Sequence, residues 1–170
     1  MIKTWLKFNE NTSDGFREKI SQKFQEVRDV FIEFEDMNII SYGINSVGYE
    51  KESWGQYTPG HTDHDRFIDR IVPTLRLGFL NDDERRVLKQ LNKDKYKSVD
   101  KQFFISAHIK IPGEPNEFGS TLIGNDGIKL FEDILVANSR LIDMGYDVKL
   151  DLNASHNAYK PAKFLIYFNI

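Results

Sequence analysis

The chain has 170 residues, no cysteine and a net charge of −3, and 40% of its residues are apolar. That composition excludes a disulfide scaffold, a thiolate metal centre and a cysteine nucleophile, and it matches a soluble globular chain rather than a disordered or membrane-spanning one. A chain of this length buries roughly 70% of its unfolded surface in one domain and needs no metal or disulfide staple.

Residues 1–8 carry Lys3 and Lys7 and no apolar h-region, so no signal peptide is predicted. No apolar run is long enough for a membrane span, and the expected location is cytoplasmic. In chain order, Ile2, Thr4, Leu6 and Phe8 alternate with Lys3, Trp5 and Lys7, a period of two that predicts a first strand. Thr12 and Ser13 are N-cap types, and Phe16, Ile20, Phe24 and Val27 then form a helical stripe. Val30 to Ile44 reads as a strand, with Ile32 and Phe34 opposite Glu33 and Glu35. Glycines at 43, 48, 55 and 60, with Pro59, predict a long loop or irregular hairpin.

The middle of the chain is helical by pattern. His64, Phe67, Ile68, Ile71 and Val72 sit at helix spacing, and Pro73 is expected to end the run. Asn81 followed by Asp82, Asp83 and Glu84 is a capping-box start for a helix with Val87, Leu88 and Leu91 inward. The last third offers a strand over 103–111 and a Pro/Gly loop over 112–124. A helix from Asn125 then carries Ile128, Phe131, Leu135 and Ile142, with Gly145 as its stop. Val148, Leu150 and Leu152 predict another strand. Phe164 to Ile170, apolar on both faces, predicts a central one. The order β-α-β, helical insertion at about 45–100, β-α-β-β implies a single α+β domain. Its sheet would be mainly antiparallel, with two packing helices and ferredoxin-like topology.

Chemistry-bearing motifs are few. P-loop, dinucleotide-fingerprint, nucleophile-elbow and HExxH patterns are absent from the sequence, and no cofactor is expected. His61 and His64, three apart beside Asp63 and Asp65, would bring two imidazoles to one side of a helix start, with Asp65 as a third ligand or a hydrogen-bond partner. The plainer alternative is a capped helix start with solvated histidines, and it carries more weight. His108, two residues after Ser106 on a strand, would serve as a general base or phosphate contact; otherwise it is a half-exposed strand histidine on the solvent side. His156 is the fourth histidine.

Charge is uneven: residues 1–60 sum to −3, 61–110 to +3 and 111–170 to −3. Arg85, Lys89 and Lys93 recur every four residues within a basic segment reaching Lys101, a stripe suited to phosphates or simply to water. Tyr42, Tyr49, Trp54 and Tyr57 fall in the Gly-rich stretch, where loop aromatics either anchor an interface or cover the edge of the core. Tyr49, Trp54 and Tyr57 are the candidate interface residues, and Trp54 and Tyr57 are expected to be accessible in the free protein. The leading functional expectation is a non-enzymatic protein-binding domain of the inhibitor, immunity or antitoxin kind. A metal-assisted hydrolase or phosphodiesterase using His61, His64 and His108 ranks second, and nucleic-acid binding through Arg85–Lys101 third.

Overall fold

The apolar stripe that begins at Phe16 does not stop at Val27. In a computed structural model, which describes residues 2–46, 57–61, 63–75, 83, 86, 102–118, 121–152 and 162–169, it continues through Phe31 and Phe34 on one helix, α1 (Ile2–Glu35). This corrects two expectations. Residues 2–8 are helix rather than strand, and so is the first part of the strand expected from Val30. Over seven residues a period of two is hard to tell from a helical one, since Ile2 and Leu6 are also four apart. No proline interrupts residues 2–35, so a helix nucleated by the long stripe extends at little cost.

Asn38 ends α1. It takes a left-handed φ of 54°, its N–H donates to Glu35 O, and Ile39 N–H donates to Phe34 O. Gly145, with φ 93°, ends α3 (Asn125–Asp143) by the same pair of bonds: Gly145 N–H to Ile142 O and Tyr146 N–H to Leu141 O. In each turn the following apolar residue, Ile39 or Tyr146, is buried and leads directly into a strand.

Those strands belong to a four-stranded antiparallel sheet, order β1-β2-β6-β5, built from β1 (Ile40–Ser46), β2 (Gln102–Ile109), β5 (Asp147–Asp151) and β6 (Ala162–Asn169). The class is mixed α+β, with three helices among the described residues. The third is α2 (His64–Leu75), which runs through Pro73 instead of ending there. A proline in the last turn forgoes a backbone hydrogen bond, and buried Ile71, Val72 and Leu75 offset that loss. The loop after β2 holds a small ribbon, β3 (Glu114–Pro115) with β4 (Thr121–Leu122). Of the helix expected from Asn81, only Asp83 and Arg86 lie among the described residues, and both are helical.

The anticipated β-α-β start is therefore replaced by a chain that enters through a helix, and β1 and β2 are antiparallel neighbours. β6 does lie inside the sheet, between β2 and β5, as its apolar sequence implied. One face of the sheet carries Tyr42, Ala107 and Phe164 in one row and Ile44, Ile105 and Ile166 in the next. All six are buried in a core shared with α1, α2 and α3. Phe31 of α1 stacks on Phe164, with ring centres 6.1 Å apart. Phe164→Ala should cost about 3–5 kcal/mol in a urea or thermal melt, because the surrounding rings cannot close on the cavity.

α1 is also tied by polar groups. Arg17 Nε donates to Asp69 of α2 at 2.9 Å. The Tyr146 hydroxyl donates to Glu26, which also takes a bond from Lys23 at 3.2 Å. Burial pushes the Glu26 carboxyl up, but the hydrogen bonds from Tyr146 and Lys23 outweigh it and the net is below the ordinary 4.5. The folded state thus holds this carboxylate charged at a pH where the unfolded chain has protonated it. The resulting stability is present above about 4.5 and lost as pH falls through the folded value. Tyr146→Phe should cost about 1.5 kcal/mol at pH 7. Chemical denaturation at a series of pH values should show that difference shrinking below about pH 4.5.

Candidate functional site

The segment that drew attention in the sequence closes over the middle of α1. Asp63 Oδ1 accepts the Asp65 N–H at 2.9 Å, the geometry of an N-cap, so the capped helix start is what this stretch builds. His61 lies exposed in the preceding turn, its N–H donating to Thr58 O. His64 turns inward and stacks on Phe24, with centroids 5.3 Å apart and planes at 13°. Its Nδ1 is 3.5 Å from Asp65, and its buried Nε2 has no hydrogen-bond partner among the described residues. Arg17 lies 3.5 Å from Asp65 and closer still to Asp69, so it neutralises the carboxylates a cation would need. Among the described residues no three of His, Cys, Asp or Glu gather in a way that would hold a metal. An open groove of about 530 Å³ runs along this seam, lined by Arg17, Ser21, Gln25 and His64 among others.

Tyr57, the described member of the interface trio, is a core residue, which corrects the expectation that it is open in the free chain. Its backbone forms a bridge to Tyr42 through two hydrogen bonds of 2.7 and 2.8 Å. Its ring packs on Phe24, Tyr42 and Phe67. Arg28 lies 4.8 Å over the same ring while Nε and Nη2 donate to Glu35 at 2.9 and 2.8 Å. The Glu35 bonds hold Arg28 above its usual range. Burial pushes the Tyr42 phenol well up, and the neighbouring Glu35 carboxylate adds to the shift. Burial also raises Tyr57, against the pull of Arg28. Tyr49, Trp54, Arg85, Lys89, Lys93 and His156 lie outside the described residues.

This Arg28–Glu35 pair escaped sequence reading because its spacing of seven has meaning only on a helix that continues past Val30. Both partners are satisfied, so the arrangement is structural rather than catalytic. Glu35→Ala should cost about 3–5 kcal/mol, since it strands a largely buried guanidinium; Arg28→Met with Glu35→Leu should recover most of that in the same denaturant titration.

His108 is buried rather than half-exposed, on the sheet face turned away from α1. Across the strands its row reads Ser41, His108, Lys163, Asp151, and Lys163 pairs with Asp151 at 3.6 Å. Ser106, one row on, donates its hydroxyl to Gly43 O at 3.4 Å. A side chain at Gly43 would come within 2.9 Å of that hydroxyl, so the glycine leaves room for it. Ser106 is thus engaged with β1 and not poised as a nucleophile.

A further surface lies on α3. The sequence puts Ile128, Phe131, Leu135 and Ile142 on this helix, and its buried side is Gly127, Ile134, Ala137, Asn138 and Leu141. Ile128, Leu135 and Ile142 are 52%, 38% and 56% exposed. They recur every seven residues along one flank, with partly buried Phe131 beside them. Comparison with known proteins returns nothing: no protein-family model matches the chain, and no curated protein or solved structure matches it.

Proposed function

We propose that the chain is a non-enzymatic protein-binding domain acting in the cytosol, of the inhibitor, immunity or antitoxin kind, with the outer flank of α3 as its recognition surface. The observation that carries this is the Ile128, Leu135, Ile142 stripe, large apolar groups left in water by a helix whose other side fills the core. Contiguous exposed apolar surface bordered by polar groups is the mark of a partner site. Glu132, Ser139 and Asp143, all exposed, run along one side of the stripe. The partner would therefore be a protein presenting an apolar ridge bordered by Lys or Arg. Among the described residues no helix is long and apolar enough to cross a membrane. The sheet fits the same reading as a scaffold: β2 and β5 both run antiparallel to β6, so β2-α3-β5 is a split β-α-β unit. We read the whole as a ferredoxin-like sheet that the chain enters at a helix.

The test is affinity capture from lysate of the source cell with wild type, Leu135→Asp/Ile142→Asp and Val136→Asp. Val136 is exposed but on a different side of α3, and surface changes of this kind should leave melting within about 0.5 kcal/mol. A protein retained by wild type and Val136→Asp should bind the double variant at least about 30-fold more weakly, the loss of an apolar hot spot worth about 2 kcal/mol. Its binding should also weaken with salt. Equal retention by all three would remove the α3 flank as the recognition surface.

A further inference from the structure

The sheet has two edges, and they are treated differently. At β1, Tyr57 exchanges two backbone hydrogen bonds with Tyr42 and covers part of the edge. At the other edge β5 pairs with β6 alone among the described residues. An uncovered edge is a template for another strand. Next to it Leu150 and Leu152 are 40% and 63% exposed.

We propose that β5 pairs antiparallel with β5 of a second copy of this chain, about a two-fold axis through Leu150, making one continuous sheet of two copies. The charges and the exposed leucines of the segment Asp147-Val148-Lys149-Leu150-Asp151-Leu152 together select that register. Directly opposite residues of an antiparallel pair share a face. With Leu150 opposite Leu150, Lys149 of each copy meets Asp151 of the other, and Val148 meets Leu152. The apolar pairs then fall on the face that the helices cover, since Val148 and Leu150 stand in register with Ile166 and Phe164. Centring on Lys149 instead sets lysine against lysine and Asp147 against Asp151. Centring on Asp151 sets aspartate against aspartate. A one-residue slip turns the apolar side of one copy to the polar side of the other. Centring on Val148 also opposes unlike charges, Asp147 against Lys149, but it sets exposed Leu150 against Tyr146, which precedes the strand and is buried with its hydroxyl on Glu26. The Leu150 register opposes unlike charges at both flanking positions and also covers both exposed leucines with apolar partners, which is the self-complementarity a two-fold contact requires. This surface is separate from the α3 flank, and the inference does not depend on the partner reading above.

Sedimentation equilibrium over a concentration series tests it. Wild type is expected to show a dimer. Lys149→Asp and Asp151→Lys, each of which opposes like charges twice, are expected to be monomers. An equal mixture of the two variants pairs carboxylate with ammonium at both positions and is expected to dimerise again. Circular dichroism melts verify that each variant is folded. A second measurement leaves the charges alone: Leu150→Cys places the only thiol of the chain on the axis, where opposite Cα atoms are about 4.5–5.5 Å apart, within disulfide reach. Mild oxidation should link Leu150→Cys into a covalent dimer and leave Val148→Cys unlinked. A wild type that is monomeric at every concentration overturns the proposal. So do single charge variants that dimerise like wild type, or a dimer broken by Leu135→Asp but by neither charge variant, which would move the contact to α3.

Discussion

Six side chains on one side of α1, from Phe16 to Phe34, leave water only by covering the sheet face that carries Tyr42, Ile105, Phe164 and Ile166. At the centre of that contact is Phe24. Its ring meets Tyr42 at 5.4 Å, Tyr57 at 5.5 Å, Phe67 at 5.0 Å and His64 at 5.3 Å, so β1, the chain after it and α2 all converge on one residue. The contact has consequences for chemistry as well as stability. His64 is held by stacking on Phe24, its Nε2 buried while the ring still borders the open groove, and Tyr57 is absorbed into the same cluster.

Polar groups along α1 then decide how its neighbours sit. Apolar contact is weakly directional, whereas a bidentate guanidinium–carboxylate pair and a phenol–carboxylate bond are strongly so. Arg28 and Glu35 lie one turn pair apart on the helix, with Tyr57 under the guanidinium and the Tyr42 phenol near the carboxylate. Glu26 receives Tyr146 from the end of α3. Arg17 reaches Asp69 and Asp65 of α2. The Glu26 and Arg17 bonds join α1 to two different elements, so sliding the helix along the sheet would break both; the Arg28–Glu35 pair lies within α1 and would instead lose its place over Tyr57.

Much of this was legible from periodicity where the periods are long. The helix over Phe16–Val27, the strand after Lys101, the Gly145 stop and the interior position of β6 follow from spacings that span several turns or a full strand. Residues 2–8 and 30–35 failed because short alternating runs such as Ile32-Glu33-Phe34-Glu35 satisfy two periods at once; what decides between them is continuity with the longer helix. α3 shows what spacing leaves open. Both Ile128/Leu135/Ile142 and Ile134/Ala137/Leu141 are apolar stripes; the first has the larger side chains and is the more conspicuous in the sequence, and the second is the buried one. A small residue is what a helix needs where its neighbours come near, and Gly127 is such a position: a side chain there would lie 2.3 Å from the Ile123 side chain, 3.1 Å from that of Ile111 and 3.3 Å from the Pro112 carbonyl. The buried glycine, not the bulkiest residues, marked the inward side.

The exposed stripe bears on function, because it concerns which groups are left over once folding has used the rest. The described tyrosine and arginine groups of the interior are engaged in pairs or aromatic contacts. Asp63 is a cap, and Ser106 bonds the neighbouring strand. A polar side chain committed to a fold-defining bond has that much less of its hydrogen-bonding capacity open to a ligand. The apolar flank of α3 is in the opposite position. Its burial would release water-exposed hydrocarbon without breaking any bond the fold depends on, and the fold gains nothing by keeping it bare. Surface free energy of that kind is available only to an association, which is why recognition rather than chemistry is the reading that these residues favour.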